Sequence, residues 1–265
     1  MGRHFVHFIN RKVVISSSPS SEKEWYIRDE MDDSDPFERP QYHITRRKSG
    51  PVARIEKSDV IWLFSALSFK DQKLPVSLDA KIVTQEVCKR DGKTVFLAGP
   101  DSVWFPMADA TEILKALETK NAASQKNIKL WPNPEKPIGL YLQNIREIGN
   151  PEEVISYAER IQKSAFDFIS YRQKDGTQKA FKLAENLIAE KKVVFWDRYG
   201  LPRRLTERKE MVPNEQLDSH LVAKIKSAEK VWGVITEGYK DPNCYAQKEK
   251  ALADELGKFL NFTSS

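Results

Sequence analysis

Between residues 166 and 260, short apolar runs alternate with segments whose apolar positions recur at helical spacing. The runs are Phe166-Asp167-Phe168-Ile169-Ser170, Val193-Val194-Phe195-Trp196 and Val231-Trp232-Gly233-Val234-Ile235-Thr236. They are rich in β-branched and aromatic residues, which favours strands. Between the first two, Ala180, Phe181, Ala184, Leu187 and Ile188 fall on one helical face over 177–190. Between the second and third, Leu217, Leu221, Ile225 and Ala228 do the same over 214–228. A third helical pattern follows from about residue 242 toward residue 260. Strands alternating with helices in this order predict an α/β layer built on a parallel sheet.

The pattern before residue 150 is different. Residues 4–9, 12–16, 42–45, 52–55, 60–64, 80–87, 94–97 and 129–131 read as short strands, with a tight turn at Asn10-Arg11. The strongest is Val60-Ile61-Trp62-Leu63-Phe64. Residues 108–117 carry one helical pattern through Ile113, Leu114 and Leu117, and 138–148 fit either periodicity. Residues 29–40 are acidic and contain proline, which predicts an exposed loop. This half is expected to be a β-rich α+β domain over 1–150. Asn150-Pro151-Glu152-Glu153 then has the chemistry of a helix start: a capping side chain, proline at the first helical position and acids in the first turn. That places the start of the second domain, 151–265, at a helix joining the halves.

Composition adds bounds rather than chemistry. The chain has 265 residues, 40% hydrophobic and 31% charged, with net charge +5. This is ordinary for a soluble protein and gives only a mild preference for anionic partners. The apolar runs are too short to span a membrane. The two cysteines, Cys88 and Cys244, form no metal-spaced pair and are expected to be reduced in a cytoplasmic protein. The scattered histidines, His4, His7, His43 and His220, predict no metal site. Neither a G-x-G-x-x-G nor a Walker A run is present, so the usual dinucleotide and ATP folds are not expected. Cys244 has no histidine beside it in sequence to make it a nucleophile.

Candidate chemistry comes from Glu249. In the last helical pattern Tyr245, Leu252, Ala253 and Leu256 form an apolar stripe, and Glu249 falls near its centre. A buried carboxyl needs a cation, a hydrogen-bond network or a cleft. A structural ion pair with Arg172 or a lysine and a functional acid both satisfy that demand. Position favours the second. In open α/β sheets ligands bind beyond the carboxyl ends of the strands. Tyr171 and Arg172 follow the first strand, Asp197 ends the second, and Glu249 lies early in the helix after the third. An aromatic, a cation and two acids at one end could hold a ring, a phosphate and a ribose.

The residues Phe168-Ile169-Ser170-Tyr171-Arg172, the Phe195-Trp196-Asp197 strand end, the Gly200-Leu201-Pro202 loop and Tyr245-Ala246-Gln247-Lys248-Glu249 together resemble a TIR (Toll/interleukin-1 receptor) domain. The resemblance covers only the C-terminal half. It implies a flavodoxin-like parallel sheet, shortened here, because the sequence after the third helix leaves little for the usual later strands. It also implies cleavage of NAD, as substrate rather than cofactor, at the nicotinamide–ribose bond. Glu249 matches the catalytic glutamate of the NAD-cleaving members, and Tyr245 stands where their pattern has tryptophan. Substrate binding would fall to Tyr171, Arg172, Trp196, Asp197 and Tyr245. The resemblance further implies homo-oligomers built through TIR–TIR contacts, with residues 200–202 in the contact loop. In prokaryotic relatives it implies a β-rich partner domain that senses an activating ligand, commonly in antiphage defence. Two other readings stay open: a TIR scaffold without turnover, and a nucleic-acid-associated protein with a basic reader in its N-terminal half.

Overall fold

The central strand of the N-terminal half opens on five apolar residues in a row, Val60 to Phe64, because both of its faces are buried. The computed structural model, which describes residues 2–12, 39–47, 49–69, 72–90, 92–197 and 215–262, runs this strand, β3, from Val60 to Phe69. Strands β1 (His4–Lys12) and β2 (Tyr42–Thr45) precede it, and β4 (Gln72–Lys73), β5 (Ser77–Arg90), β6 (Lys93–Ala98) and β7 (Val103–Trp104) follow. Ile61, Leu63 and Leu67 join one core with Phe5, Ile9, Ala80 and Ile82. Trp62, Phe64 and Ala66 join a second core on the other face. Period-2 alternation is lost when both faces of a strand are covered. The mixed sheet runs β1–β3–β5–β6–β2, with β4 beside β3 and β7 beside β5. β1 and β3 are parallel and the other pairs are antiparallel.

Several local expectations are corrected. No turn forms at Asn10-Arg11: β1 is continuous through Lys12 and pairs along its length with β3. Residues 13–16 and the acidic stretch up to 38 lie outside the described residues. Residues 52–55 are not a strand; Gly50–Arg54 is a 3-10 turn, where Pro51 fixes φ and offers no N–H to a ladder. The helix expected over 108–117 contracts to α1, Thr111–Ala116. β8 (Glu118–Lys120) and β9 (Asn127–Lys129) form a small hairpin, which leaves Leu130 and Trp131 to enter the second core. The ambiguous stretch resolves into a 3-10 turn at Ile138–Leu140 and a short strand β10 (Arg146–Glu147) on the outer edge of β1.

Helix α2 spans Pro151–Lys163, with proline at its start and Glu152 and Glu153 in the first turn. Its buried side, Val154, Tyr157, Ala158 and Ile161, packs with Leu114, Leu117 and Trp131. The Tyr157 hydroxyl donates to the Asp109 carbonyl at 3.0 Å. This helix is therefore covered by the N-terminal core, and the change of partners comes after it, near Ser164.

Beyond it the order is β11 (Asp167–Tyr171), α3 (Gln173–Ala189), β12 (Val194–Phe195), α4 (Glu215–Ser227), β13 (Lys230–Val234), α5 (Tyr245–Glu255) and β14 (Phe259–Phe262). The four strands are all parallel, in the order β12–β11–β13–β14. Ile169, Tyr171 and Val234 face α3, while Phe168, Phe195, Val231 and the apolar sides of α4 and α5 make a separate core on the opposite face. The last helix was expected to continue toward residue 260. It ends at Glu255 because Gly257 turns the chain with φ 67°, and the apolar residues beyond become β14, a fourth strand that the sequence reading did not contain.

The two halves meet at the free edge of β12. Met107 and Val194 exchange both backbone hydrogen bonds at 2.8 Å, and Lys191 pairs with Asp109 at 3.2 Å. Among the described residues no helix is long and apolar enough to cross a membrane.

Candidate active site

The strand order places a reversal between β11 and β13. From β11 the chain crosses outward to β12, then returns past β11 to β13 and β14. At such a point the loops leaving adjacent strands diverge and open a crevice at the carboxyl end of the sheet. The candidate residues gather around it.

Strand alternation sends Ser170 and Tyr171 to opposite faces. Ser170 is fully buried toward α5, and its hydroxyl donates to Glu249 Oε2 at 2.6 Å. The same hydroxyl shares a 3.0 Å hydrogen bond with the hydroxyl of Tyr239, in the turn that follows β13. Tyr239 is held by its own backbone: its N–H donates to Thr236 Oγ1 at 3.1 Å, and its carbonyl accepts from the Gln247 amide. Glu249 is 9% exposed. Among the described residues no cation pairs with it, so the ion pair with Arg172 or a lysine is not the arrangement adopted. Burial drives its carboxyl up to about 8; the Ser170 hydrogen bond opposes that rise, and the negative charge of Asp197 adds to it. The acid is thus held mainly protonated at neutral pH by its surroundings.

On the other side of β11, the Tyr171 hydroxyl donates to Asp197 Oδ1 at 2.6 Å. Gln173, at the start of α3, donates its amide to Asp197 Oδ2 at 2.9 Å. Arg172 lies across the turn after β13. A Cβ on Gly238 would meet its guanidinium, so a larger residue there would displace the arginine side chain. Asp175 accepts the Gly238 N–H at 3.0 Å and fixes the same turn. Arg172 also pulls the Cys244 thiol down, although burial dominates and the thiol lies above its ordinary range. That environment disfavours the thiolate a nucleophile needs.

Glu249, Asp197, Tyr171 and Arg172 are therefore at one end of the sheet, on the ends of adjacent elements. Two further expected ligand contacts, Trp196 and Tyr245, are engaged in packing and hydrogen bonding within the protein. Trp196 is wholly buried, edge-on to Tyr171 at 6.0 Å and to Phe181 at 6.1 Å, and supports the site from beneath without an exposed face for stacking. Tyr245 ties α5 to α4 through a 2.6 Å hydrogen bond from its hydroxyl to Asp218. The contact loop with Gly200, Leu201 and Pro202 lies outside the described residues. Ser170, Gln173, Asp175 and Tyr239 were not anticipated. Ser170 carried a signal: it is a hydroxyl inside an otherwise apolar strand, one residue before the candidate aromatic. Tyr239 follows a strand in a turn with no periodicity, and nothing local marks it.

No family model, curated protein or solved structure matches the chain.

Proposed function

We propose that the C-terminal half is a flavodoxin-like TIR domain that cleaves NAD at the nicotinamide–ribose bond. The observation that carries this reading is Glu249: a buried carboxyl at the carboxyl end of a parallel sheet, hydrogen-bonded to Ser170 and facing no cation among the described residues. Such a group is costly to the fold, and costs of that kind gather at functional sites. The strand order, with its reversal between β11 and β13, supports the same reading, as do Tyr171, Arg172 and Asp197 at the same end of the sheet.

In the proposed reaction the C–N bond to nicotinamide breaks and its electron pair leaves with the ring nitrogen. The ribose is left with oxocarbenium character, which an ionised Glu249 stabilises. Water then adds and loses a proton to give ADP-ribose, or an adenine nitrogen adds to give the cyclic product. NAD carries a positive pyridinium. Bound beside Glu249, it favours ionisation of an acid that is otherwise held protonated. Arg172 supplies a cation for the pyrophosphate, and Asp197 and Tyr171 supply polar contacts for the ribose. No resident cofactor is required.

The role we assign to the whole is signalling or defence in the cytoplasm of a prokaryote. The β-rich half would receive an activating ligand, and TIR–TIR contacts would assemble a homo-oligomer. Purified full-length protein should release nicotinamide from NAD, with specific activity rising with protein concentration. Concentration-dependent assembly with no nicotinamide release would instead make the protein a scaffold.

A further inference from the structure

A cavity of about 250 Å³ lies where the halves meet, away from the Glu249–Ser170 pair. Its walls come from β7 and the residues after it, from the end of α2, from β12 and from α4. Trp104, Phe105, Phe166 and Phe195 make part of these walls aromatic. Among the described residues that line it, Lys224 is the one lysine or arginine. Lys224 Nζ stands 5.6 Å from the centre of the Phe195 ring and 5.9 Å from that of Phe166. Among the described residues no carboxylate pairs with it. Burial lowers the ammonium from its usual range, as expected of a charge withdrawn from water without a counter-ion.

We propose that this cavity binds a small planar aromatic ring bearing one anionic group. The aromatic walls provide the ring's apolar contacts, and the volume admits a ring with a short substituent rather than a dinucleotide. Lys224, drawn partly out of water against the Phe166 and Phe195 rings, pairs with the anion through a charge-assisted hydrogen bond. The inference does not depend on NAD cleavage. It gives the chain a ligand site that draws lining from both halves, reached by neither half alone.

The test uses full-length protein and two probes that differ only in charge, indole-3-acetate and indole-3-acetamide, titrated calorimetrically and by thermal melting. The acetate should bind at least tenfold more tightly than the amide and raise Tm. Lys224→Met, which keeps the length of the stem, should reduce the acetate to the affinity of the amide. Gln162→Trp, an exposed change at the rim, should weaken both probes. Equal binding of acetate and amide to the unmodified protein, or no binding of either at millimolar concentration, would overturn the proposal without recourse to a variant. So would undiminished acetate binding to either variant.

Discussion

Glu249 sets the energetics of the site, and its ionisation makes a sharp prediction about stability. In the fold its carboxyl titrates at about 8; in the unfolded chain it titrates near the ordinary value of about 4.3. Between these pH values the folded state holds a proton that the unfolded state has released, so stability falls as pH rises and levels off above 8. The buried pair His7 and His43, with ring nitrogens 3.1 Å apart, acts in the opposite sense. Burial lowers His7 to about 4 and holds His43 well below its usual range. Their contribution is present above about 6.5 and is lost as pH falls through the folded values. The two effects oppose each other below 6.5, so the difference between parent and Glu249→Gln is the quantity to measure. The variant should gain stability relative to the parent between pH 5 and pH 8.5, by on the order of 3–4 kcal/mol. Urea melts across that range would check it, and a constant difference would mean that Glu249 is not protonated in the fold. The profile of kcat/KM, which reports the free protein, should show the same group from the other side, rising with pH toward 8 and then flattening. In Asp197→Asn the rising limb should move to lower pH, because the charge that raises Glu249 is gone; the pH profile of nicotinamide release reads this. Glu249 was legible in the sequence because an acid at the centre of an apolar stripe contradicts its neighbours. Its hydrogen bond to Ser170 was not, since a contact between residues 79 positions apart depends on how the chain closes in space.

Among the elements, the strands and helices of the C-terminal half were readable where burial was one-sided, as on α3 and α4. They were misread where an apolar pattern continued across a change of geometry. From Tyr245 to Leu260 the apolar positions fit one helix, yet only Tyr245–Glu255 is helical. The break is made by Gly257 with φ 67°, and a single glycine is a weak signal inside a long periodic run. Replacing it with alanine should cost about 1–2 kcal/mol, the penalty of a left-handed backbone for a residue with a Cβ. No neighbour would clash with the new methyl, so the loss measures the turn itself; an unchanged melting midpoint would mean that β14 does not depend on it. In the N-terminal half β1 was read as two strands because Asn10-Arg11 is polar. The parallel pairing with β3 carries the strand through that point, a tertiary override that no local pattern contains.

For the whole molecule, the two-part organisation has a consequence for dissection. Helix α2 starts at residue 151 but buries Val154, Tyr157 and Ile161 against the N-terminal core. A fragment 151–265 carries that apolar side uncovered and should self-associate, whereas a fragment 165–265 omits it. Sedimentation of the two fragments would compare them, and a monomeric 151–265 beside an aggregating 165–265 would show that α2 serves the C-terminal half instead. Both fragments lose Met107 from the edge of β12, which leaves Val194 as an unpaired strand edge open to association.

The central claim rests on one residue and is tested most directly by NAD turnover in Glu249→Gln, measured on the same preparation as its melting curve. Removing a charge that stabilises the transition state should lower nicotinamide release by about two orders of magnitude or more, in a protein whose Tm at pH 8 equals or exceeds that of the parent. A folded Glu249→Gln protein that releases nicotinamide at the parent rate would contradict the account.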